Sequence, residues 1–96
     1  MQFAWDGAKD SANQRKHGIS FDEACGLFRQ DVECLEIFDE EHSVTEDRFI
    51  TIGPIRRGLV LVVWTERDEE TIWIISARWA TNRERTLYRA YMDERR

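Results

Sequence analysis

Charged and aromatic side chains are concentrated in residues 74–91, where the sequence changes from a strand pattern to a helix pattern. Arg78 lies where the predicted strand ends, and Glu84, Arg85 and Tyr88 fall on or beside one stripe of the predicted helix. Guanidinium groups and the amides of a helix N-terminus suit a phosphate group. The alternative is that the arginines pair with acidic groups elsewhere in the chain and that Glu84 only caps the helix.

The start of that helix also departs from the usual charge preference of a helix N-terminus. Arg83 and Arg85 lie near its N-terminus, where the helix dipole disfavours an exposed cation by some tenths of a kcal/mol. Local conflicts of this kind are expected at functional sites. The pattern therefore favours a site at this strand-to-helix junction.

Two elements must position these side chains. Residues 71–77 are apolar and rich in β-branched side chains, with no Gly or Pro, which predicts a well-buried strand. Thr81 and Glu84 are spaced as a capping box, which predicts a helix from Asn82. Its predicted apolar stripe is Leu87, Tyr88, Tyr91 and Met92.

Two more helices are predicted near the N-terminus, after a short strand over residues 2–5. Asp6 can cap the first helix, and Gly18 can end it in the left-handed conformation. Lys16 and His17 lie in its last turn, where cations complement the helix dipole, so they have a purely structural explanation. Ser20, with Glu23 three residues later, predicts the second helix.

The middle of the chain has strand patterns. Residues 32–38 alternate, residues 40–46 form a polar connection, and residues 48–52 and 59–65 read as strands separated by a turn over residues 53–58 that contains the only proline. Residues 67–70 then form a tight turn. Four consecutive strands with short connections predict an antiparallel meander with helices on one face, within a single domain over residues 1–96. The fold class is α+β.

Charge is distributed unevenly around the formal net value of −5. Residues 31–47 hold eight acidic and no basic side chains, whereas residues 78–96 hold six Arg against three acids. The acidic segment can attract a basic partner, and the basic end can meet an anion. Cys25 and Cys34 lack metal-ligand spacing with His17 or His42, and no apolar run or signal sequence is present, so we expect no metal, no membrane contact and a reducing cytoplasm.

Four sequence segments together resemble the BrnT-type toxins of bacterial type II toxin–antitoxin modules. They are Phe3-Ala4-Trp5-Asp6 with Lys9 and Asn13; Lys16-His17-Gly18-Ile19-Ser20-Phe21-Asp22-Glu23-Ala24; Glu46-Asp47-Arg48 with Ile52-Gly53; and Ile74-Ile75-Ser76-Ala77-Arg78 with Ala80-Thr81, Arg83-Glu84-Arg85 and Tyr88. The resemblance runs nearly from end to end and rests on the order and spacing of all four.

The resemblance implies a RelE-like fold and a bacterial, cytoplasmic endoribonuclease that cuts RNA without a metal or cofactor and so inhibits translation and growth. It also implies a cognate BrnA-like antitoxin, a toxin homodimer within the toxin–antitoxin complex, and contact with promoter DNA only through the antitoxin.

Metal-free RNA cleavage needs a base for the 2′-hydroxyl, an acid for the leaving 5′ oxygen and cations for the phosphate. Under the resemblance, Arg78 and Arg85 would hold the phosphate, His17 or Glu84 would act as base, and Lys16 or Tyr88 would supply the remaining proton or a hydrogen bond. Further RNA contacts are expected from Arg67, Arg83 and Arg89.

Two other functions fit parts of the sequence. A non-catalytic binding module could dock a basic partner through acidic residues 31–47. A DNA-binding repressor is disfavoured because the chain has no basic helix-turn-helix pattern and its net charge is negative.

Overall fold

The computed structural model describes residues 1–95, which form five strands, four α-helices and one short 3-10 helix. The strands are β1 (Gln2–Ala4), β2 (Leu35–Phe38), β3 (Phe49–Ile55), β4 (Gly58–Arg67) and β5 (Thr71–Trp79). The helices are α1 (Gly7–His17), α2 (Phe21–Ala24), α3 (Gly26–Arg29) and α4 (Asn82–Glu94), and the 3-10 helix is Glu40–His42. Within these residues, no helix is both long enough and apolar enough to cross a membrane.

All five strands belong to one sheet in the order β1-β5-β4-β3-β2. Strands β2 to β5 pair antiparallel in sequence order, which confirms the predicted meander. The short β1 pairs parallel with the start of β5. The α+β class is therefore confirmed.

Helices pack on both faces of the sheet. The inner face carries Val62, Trp64, Ile74 and Ala77 and packs in one core with residues of α2 and α3, including Phe21. The outer face carries Leu61 and Val63, and Tyr88 and Tyr91 of α4 pack in a second cluster there. The prediction that helices cover only one face is wrong, because α4 has an aromatic stripe of its own that needs burial.

The predicted helix starts are confirmed. Asp6 accepts hydrogen bonds from the amides of Ala8 and Lys9, and the Ser20 hydroxyl accepts one from the amide of Glu23. Gly18 ends α1 with a φ of 71°, a left-handed conformation that glycine adopts at little cost.

The second predicted helix is split at Cys25 into α2 and α3. Gly26 follows at once, and glycine within a helix costs about 1 kcal/mol relative to alanine. The stripe predicted for the last helix is also partly wrong, because Leu87 is 49% exposed. Leu87 lies one helix position before Tyr88, which takes the buried place instead.

Several strand boundaries differ from the prediction: Arg67, expected in the turn, ends β4, and β5 extends to Trp79. Residues 32–34 precede β2 rather than joining it, and Pro54 lies in β3, so the connection to β4 is the two residues Arg56 and Arg57. Proline cannot donate a ladder hydrogen bond. It is tolerated here because β2 pairs only with residues 49–52 of β3.

The side chain of Asn13 completes the edge of β5 beyond the end of β1. Its amide nitrogen Nδ2 donates to the carbonyls of Ala77 (2.8 Å) and Ile19 (2.9 Å), and its Oδ1 accepts from the amide of Ala77 (3.2 Å). Asn13 is 7% exposed. One carboxamide thus fixes α1 to the sheet and satisfies backbone groups that have no neighbouring strand.

Candidate active site

Arg78 and Glu84 form a two-point ion pair where β5 leads into α4. Arg78 Nη1 donates to Glu84 Oε1 at 2.7 Å, and Nη2 donates to Oε2 at 2.8 Å. The same carboxylate accepts from the amide of Thr81 at 2.9 Å, while the Thr81 hydroxyl accepts from the amide of Glu84. Glu84 therefore caps α4, as predicted, and also fixes the orientation of Arg78.

One edge of the Arg78 guanidinium remains available to a ligand. The two terminal nitrogens face Glu84, and Nη1 also makes a long contact of 3.4 Å with the carbonyl of Trp79. Among residues 1–95, no acceptor bonds to Arg78 Nε. The Arg78 side chain is 37% exposed. Nε and the adjacent Nη2 proton thus present a second fork that can receive two oxygens of one phosphate.

The pair fixes the protonation state of Glu84. The hydrogen bond from Arg78 lowers the pKa of the Glu84 carboxyl to about 2, although burial acts in the opposite direction. The carboxylate is therefore ionised at neutral pH but binds a proton weakly, which makes it a poor general base. Glu84 raises the pKa of Arg78 in return, again mainly through the hydrogen bond.

Acidification is expected to destabilise the fold through this pair. The pKa of a glutamate carboxyl is ordinarily 4.5, whereas that of Glu84 in the folded chain is about 2, so its stabilisation is complete above 4.5 and is lost as the pH falls towards 2. In the Glu84→Gln variant, the free energy of unfolding should fall less across this interval than in the wild type, by roughly 1–2 kcal/mol for a partly exposed pair. Urea titrations at several pH values measure this free energy.

The control is Glu94→Gln, which changes an exposed carboxylate on the same helix. It should keep the pH dependence of the wild type. Identical slopes for the wild type and Glu84→Gln would show that the pair contributes nothing to stability.

The other candidate side chains of α4 lie on different sides of it. Tyr88 packs on the outer face, and its hydroxyl donates to the carbonyl of Glu33 at 3.1 Å. Burial raises the pKa of Tyr88, with smaller contributions from Cys34 and Glu33. Arg85 is half-buried, whereas Arg83 and Arg89 are exposed. A cleft of about 540 Å³ lined in part by Tyr88 and Arg89 opens towards the end of α4 and does not include Arg78 or Glu84.

Lys16 and His17 form a separate group at the end of α1. The contact between Asn13 and Ala77 brings this end of α1 towards the part of β5 that carries Arg78. His17 is half-buried and Lys16 is exposed. In residues 1–95, neither makes a hydrogen bond or ion pair with Arg78, Glu84, Arg85 or Tyr88. The predicted set is thus divided between the Arg78–Glu84 pair and the end of α1.

Arg57 is a prominent charged residue that the sequence patterns did not indicate. It donates from Nε and Nη2 to the two carboxylate oxygens of Glu23, at 2.6 and 2.5 Å, and from Nη2 to the carbonyl of Gly18 at 2.6 Å. Its guanidinium also lies 5.1 Å from the ring centre of Trp79. Arg57 therefore ties the β3–β4 turn to the start of α2.

Arg67, predicted to contact RNA, lies at the end of β4. Its guanidinium carbon is 3.9 Å from the ring centre of Trp73, and Nη2 is 3.9 Å from Glu46 Oε2. No group of three or more His, Cys, Asp or Glu side chains in residues 1–95 is arranged to hold a metal ion. Burial raises the pKa of the Cys25 thiol to about 11, so this thiol stays un-ionised.

The chain is similar to known proteins in sequence and in fold. A family model described as the ribonuclease toxin BrnT of type II toxin–antitoxin systems matches residues 5–84. The crystal structure of the ribonuclease toxin BrnT from Brucella abortus is similar to this chain, with a TM-score of 0.66 and 24% identity over 85% of this chain and 99% of the other. A search of curated proteins found no significant match.

Proposed function

The chain belongs to the BrnT family of ribonuclease toxins from type II toxin–antitoxin systems, and from this premise we propose that it is a metal-independent endoribonuclease neutralised by a cognate antitoxin. Cleavage of cellular RNA by such a toxin inhibits translation and growth. We assign the reaction to the junction of β5 and α4, with a contribution from the end of α1.

The observation that carries this proposal is the Arg78–Glu84 pair. Glu84 holds two nitrogens of Arg78, Nε bonds to no acceptor in residues 1–95, and the Arg78 side chain is 37% exposed. A guanidinium fixed in this way needs no rearrangement to receive the scissile phosphate, and it can stabilise the charge that builds up on the phosphate oxygens. Arg85, half-buried on the same helix, would add a second cation.

Proton transfer would come from other groups. Because the pKa of Glu84 is about 2, we assign this carboxylate to positioning Arg78 rather than to the role of base. The base would be His17, since imidazole is the side chain best suited to exchange a proton near neutral pH. Lys16 or Tyr88 would donate a hydrogen bond or the proton of the leaving group.

The proposed reaction needs no added water. The 2′ oxygen attacks the neighbouring phosphorus as its proton passes to the base, and the bond from phosphorus to the 5′ oxygen breaks. The 5′ oxygen then takes up a proton from the acid. The products are a 2′,3′-cyclic phosphate and a 5′-hydroxyl.

Product-end analysis in EDTA tests the mechanism. The purified chain, freed of antitoxin, is expected to cleave RNA at an undiminished rate and to leave cyclic phosphate and 5′-hydroxyl ends. Arg78→Ala protein, purified in the same way, controls for contaminating nucleases. Loss of cleavage in EDTA, or 5′-phosphate products, would contradict the proposed mechanism.

Apart from Glu46, the acidic segment is assigned to the antitoxin rather than to RNA. Of its eight acidic residues, Asp31, Glu36, Glu40, Glu41 and Asp47 are exposed and make no ion pair in residues 1–95. β2, which this segment contributes, is the last strand of the sheet on that side. A basic surface on an antitoxin would complement it. We also propose that the toxin forms a homodimer within that complex.

A further inference from the structure

Part of the outer face of the sheet carries a row of side chains that α4 does not bury. Four side chains lie on this face: Arg67, Trp73, Ser76 and Arg78. Arg78 pairs with Leu61, and Ser76 pairs with Val63, both of which belong to the outer cluster. Trp73 pairs with Thr65, which is on the same face of β4 as Val63 and Arg67 because side chains alternate along a strand. Trp73, Ser76 and Arg78 are half-buried and Arg67 is exposed. We call these four residues the outer row.

The register shift in β5 keeps the row continuous. Trp73 pairs with Thr65, whereas Ser76 pairs with Val63 and Arg78 with Leu61, so Ile75 is the extra residue of a bulge. Trp73 and Arg78 are five positions apart, so in a regular strand without a bulge they would point to opposite faces. Their partners Thr65 and Leu61 are four residues apart on β4, so the two side chains are about 13 Å apart along the strand at a rise of about 3.3 Å per residue.

Arg67 lies over Trp73 as a stacked cation. Its guanidinium carbon is 3.9 Å from the centre of the indole ring, and its side chain is 47% exposed. Indole is the aromatic ring that binds a cation most strongly. The ring therefore presents the guanidinium to solvent, where a nucleobase could stack on its outer face, as bases do on arginine planes.

The ion pair that Arg67 makes with Glu46 is a long one. Glu46 lies between Arg67 and Arg48, with nitrogen–oxygen distances of 3.9 and 4.0 Å. Both distances exceed those of a charge-assisted hydrogen bond. Arg48 Nε is also buried without a hydrogen-bond partner. Two guanidinium groups thus share one carboxylate that a phosphate could displace.

We propose that Trp73 and Arg67 form a binding subsite for one nucleotide of single-stranded RNA, at a distance along β5 from the phosphate held by Arg78. The base stacks on the Arg67 guanidinium, which Trp73 supports, and the adjoining phosphate replaces Glu46 beside Arg67 and Arg48. This inference rests on the proposed ribonuclease function and adds a substrate contact away from the reacting atoms. It also accounts for the Glu46-Asp47-Arg48 segment, which the catalytic proposal does not use.

Binding and cleavage by four variants test the subsite. Trp73→Leu removes the ring and Arg67→Gln removes the cation, while Trp73→Phe keeps an aromatic platform. Arg56→Gln is the matched control, since Arg56 is an exposed arginine of the β3–β4 turn. The probes are a short RNA for cleavage and the same sequence with 2′-O-methyl groups, which cannot be cleaved, for equilibrium binding.

We expect Trp73→Leu and Arg67→Gln to raise KM and the Kd of the methylated probe by about 5- to 100-fold, the range for loss of one stacked base. Values of kcat should change far less. Arg67→Gln should also reduce the slope of log Kd against log salt by about 0.7, the value for one phosphate contact on a single strand. Trp73→Phe should lie close to the wild type, and Arg56→Gln should match it.

Three results would overturn the inference. The first is that Arg67→Gln and Trp73→Leu both have the Kd, the KM and the Tm of the wild type. The second is a fall in kcat with KM unchanged, which would place these residues at the reacting phosphate. The third is weakened binding of the cognate antitoxin with RNA binding intact, which would make the row a protein interface. Failure of the wild type itself to cleave the RNA would instead contradict the proposed function.

Discussion

Arg78→Lys is expected to lower kcat/KM for RNA cleavage by roughly 10- to 1000-fold, about 1.4–4 kcal/mol of transition-state stabilisation. Lysine keeps the positive charge but cannot present two nitrogens to Glu84 and a further fork to a phosphate at the same time. The ion pair is partly exposed, so its contribution to folding is small, and Tm should fall by less than about 8 °C. Initial rates and thermal unfolding on the same preparation measure both effects.

A matched substitution separates loss of the fork from loss of the site. Arg57→Lys removes a two-point contact of the same kind, from Arg57 to Glu23, away from α4. It should change Tm by a similar amount and leave most of the cleavage rate. If both variants lose activity in proportion to Tm, Arg78 is a structural residue only. A stable Arg78→Ala protein with full toxicity in cells would remove Arg78 from the site altogether.

Asn13→Ala is expected to lower the free energy of unfolding by about 3–6 kcal/mol, because it leaves three backbone groups in a buried place without their partner. These groups are the amide and carbonyl of Ala77 and the carbonyl of Ile19. The total free energy of unfolding of a domain of this size is roughly 5–15 kcal/mol, so the variant should be close to unfolded at 37 °C. Urea denaturation at low temperature measures the difference.

Two comparisons sharpen that experiment. Gln14→Ala changes the exposed neighbour on α1 and should cost less than about 0.5 kcal/mol. Asn13→Asp keeps an acceptor for the amide of Ala77 but places a carboxylate against two carbonyl oxygens, so it should be at least as destabilising as Asn13→Ala. A cost below about 1 kcal/mol for Asn13→Ala would mean that water or a local shift replaces the carboxamide.

Local signals in the sequence predicted most of the fold. Asp6, Ser20 and Thr81 each start a helix through contacts within three residues, and such contacts are visible in the order of the side chains. The meander follows from short connections between strand patterns. The strand-to-helix junction was therefore placed correctly, and Glu84 was identified as a residue of the capping box.

Contacts between distant residues could not be predicted in this way. Arg57 and Glu23 are 34 positions apart, and Asn13 and Ala77 are 64 apart, so no periodicity links them. The sequence placed Arg85 beside Glu84, but the structure pairs Glu84 with Arg78. That pairing depends on the path of the chain through residues 79–81, which a helical projection does not include.

The carboxamide of Asn13 also limits where a strand of another molecule can add to the sheet. Unpaired backbone groups at a strand edge are templates for strands of other chains, and proteins usually block such edges to avoid aggregation. On one side, β1 offers only three residues, and α1 with Asn13 covers β5 beyond them. Strand addition from another molecule is therefore restricted to β2, whose exposed Glu36 and neighbouring acidic residues repel a second copy of the same acidic edge.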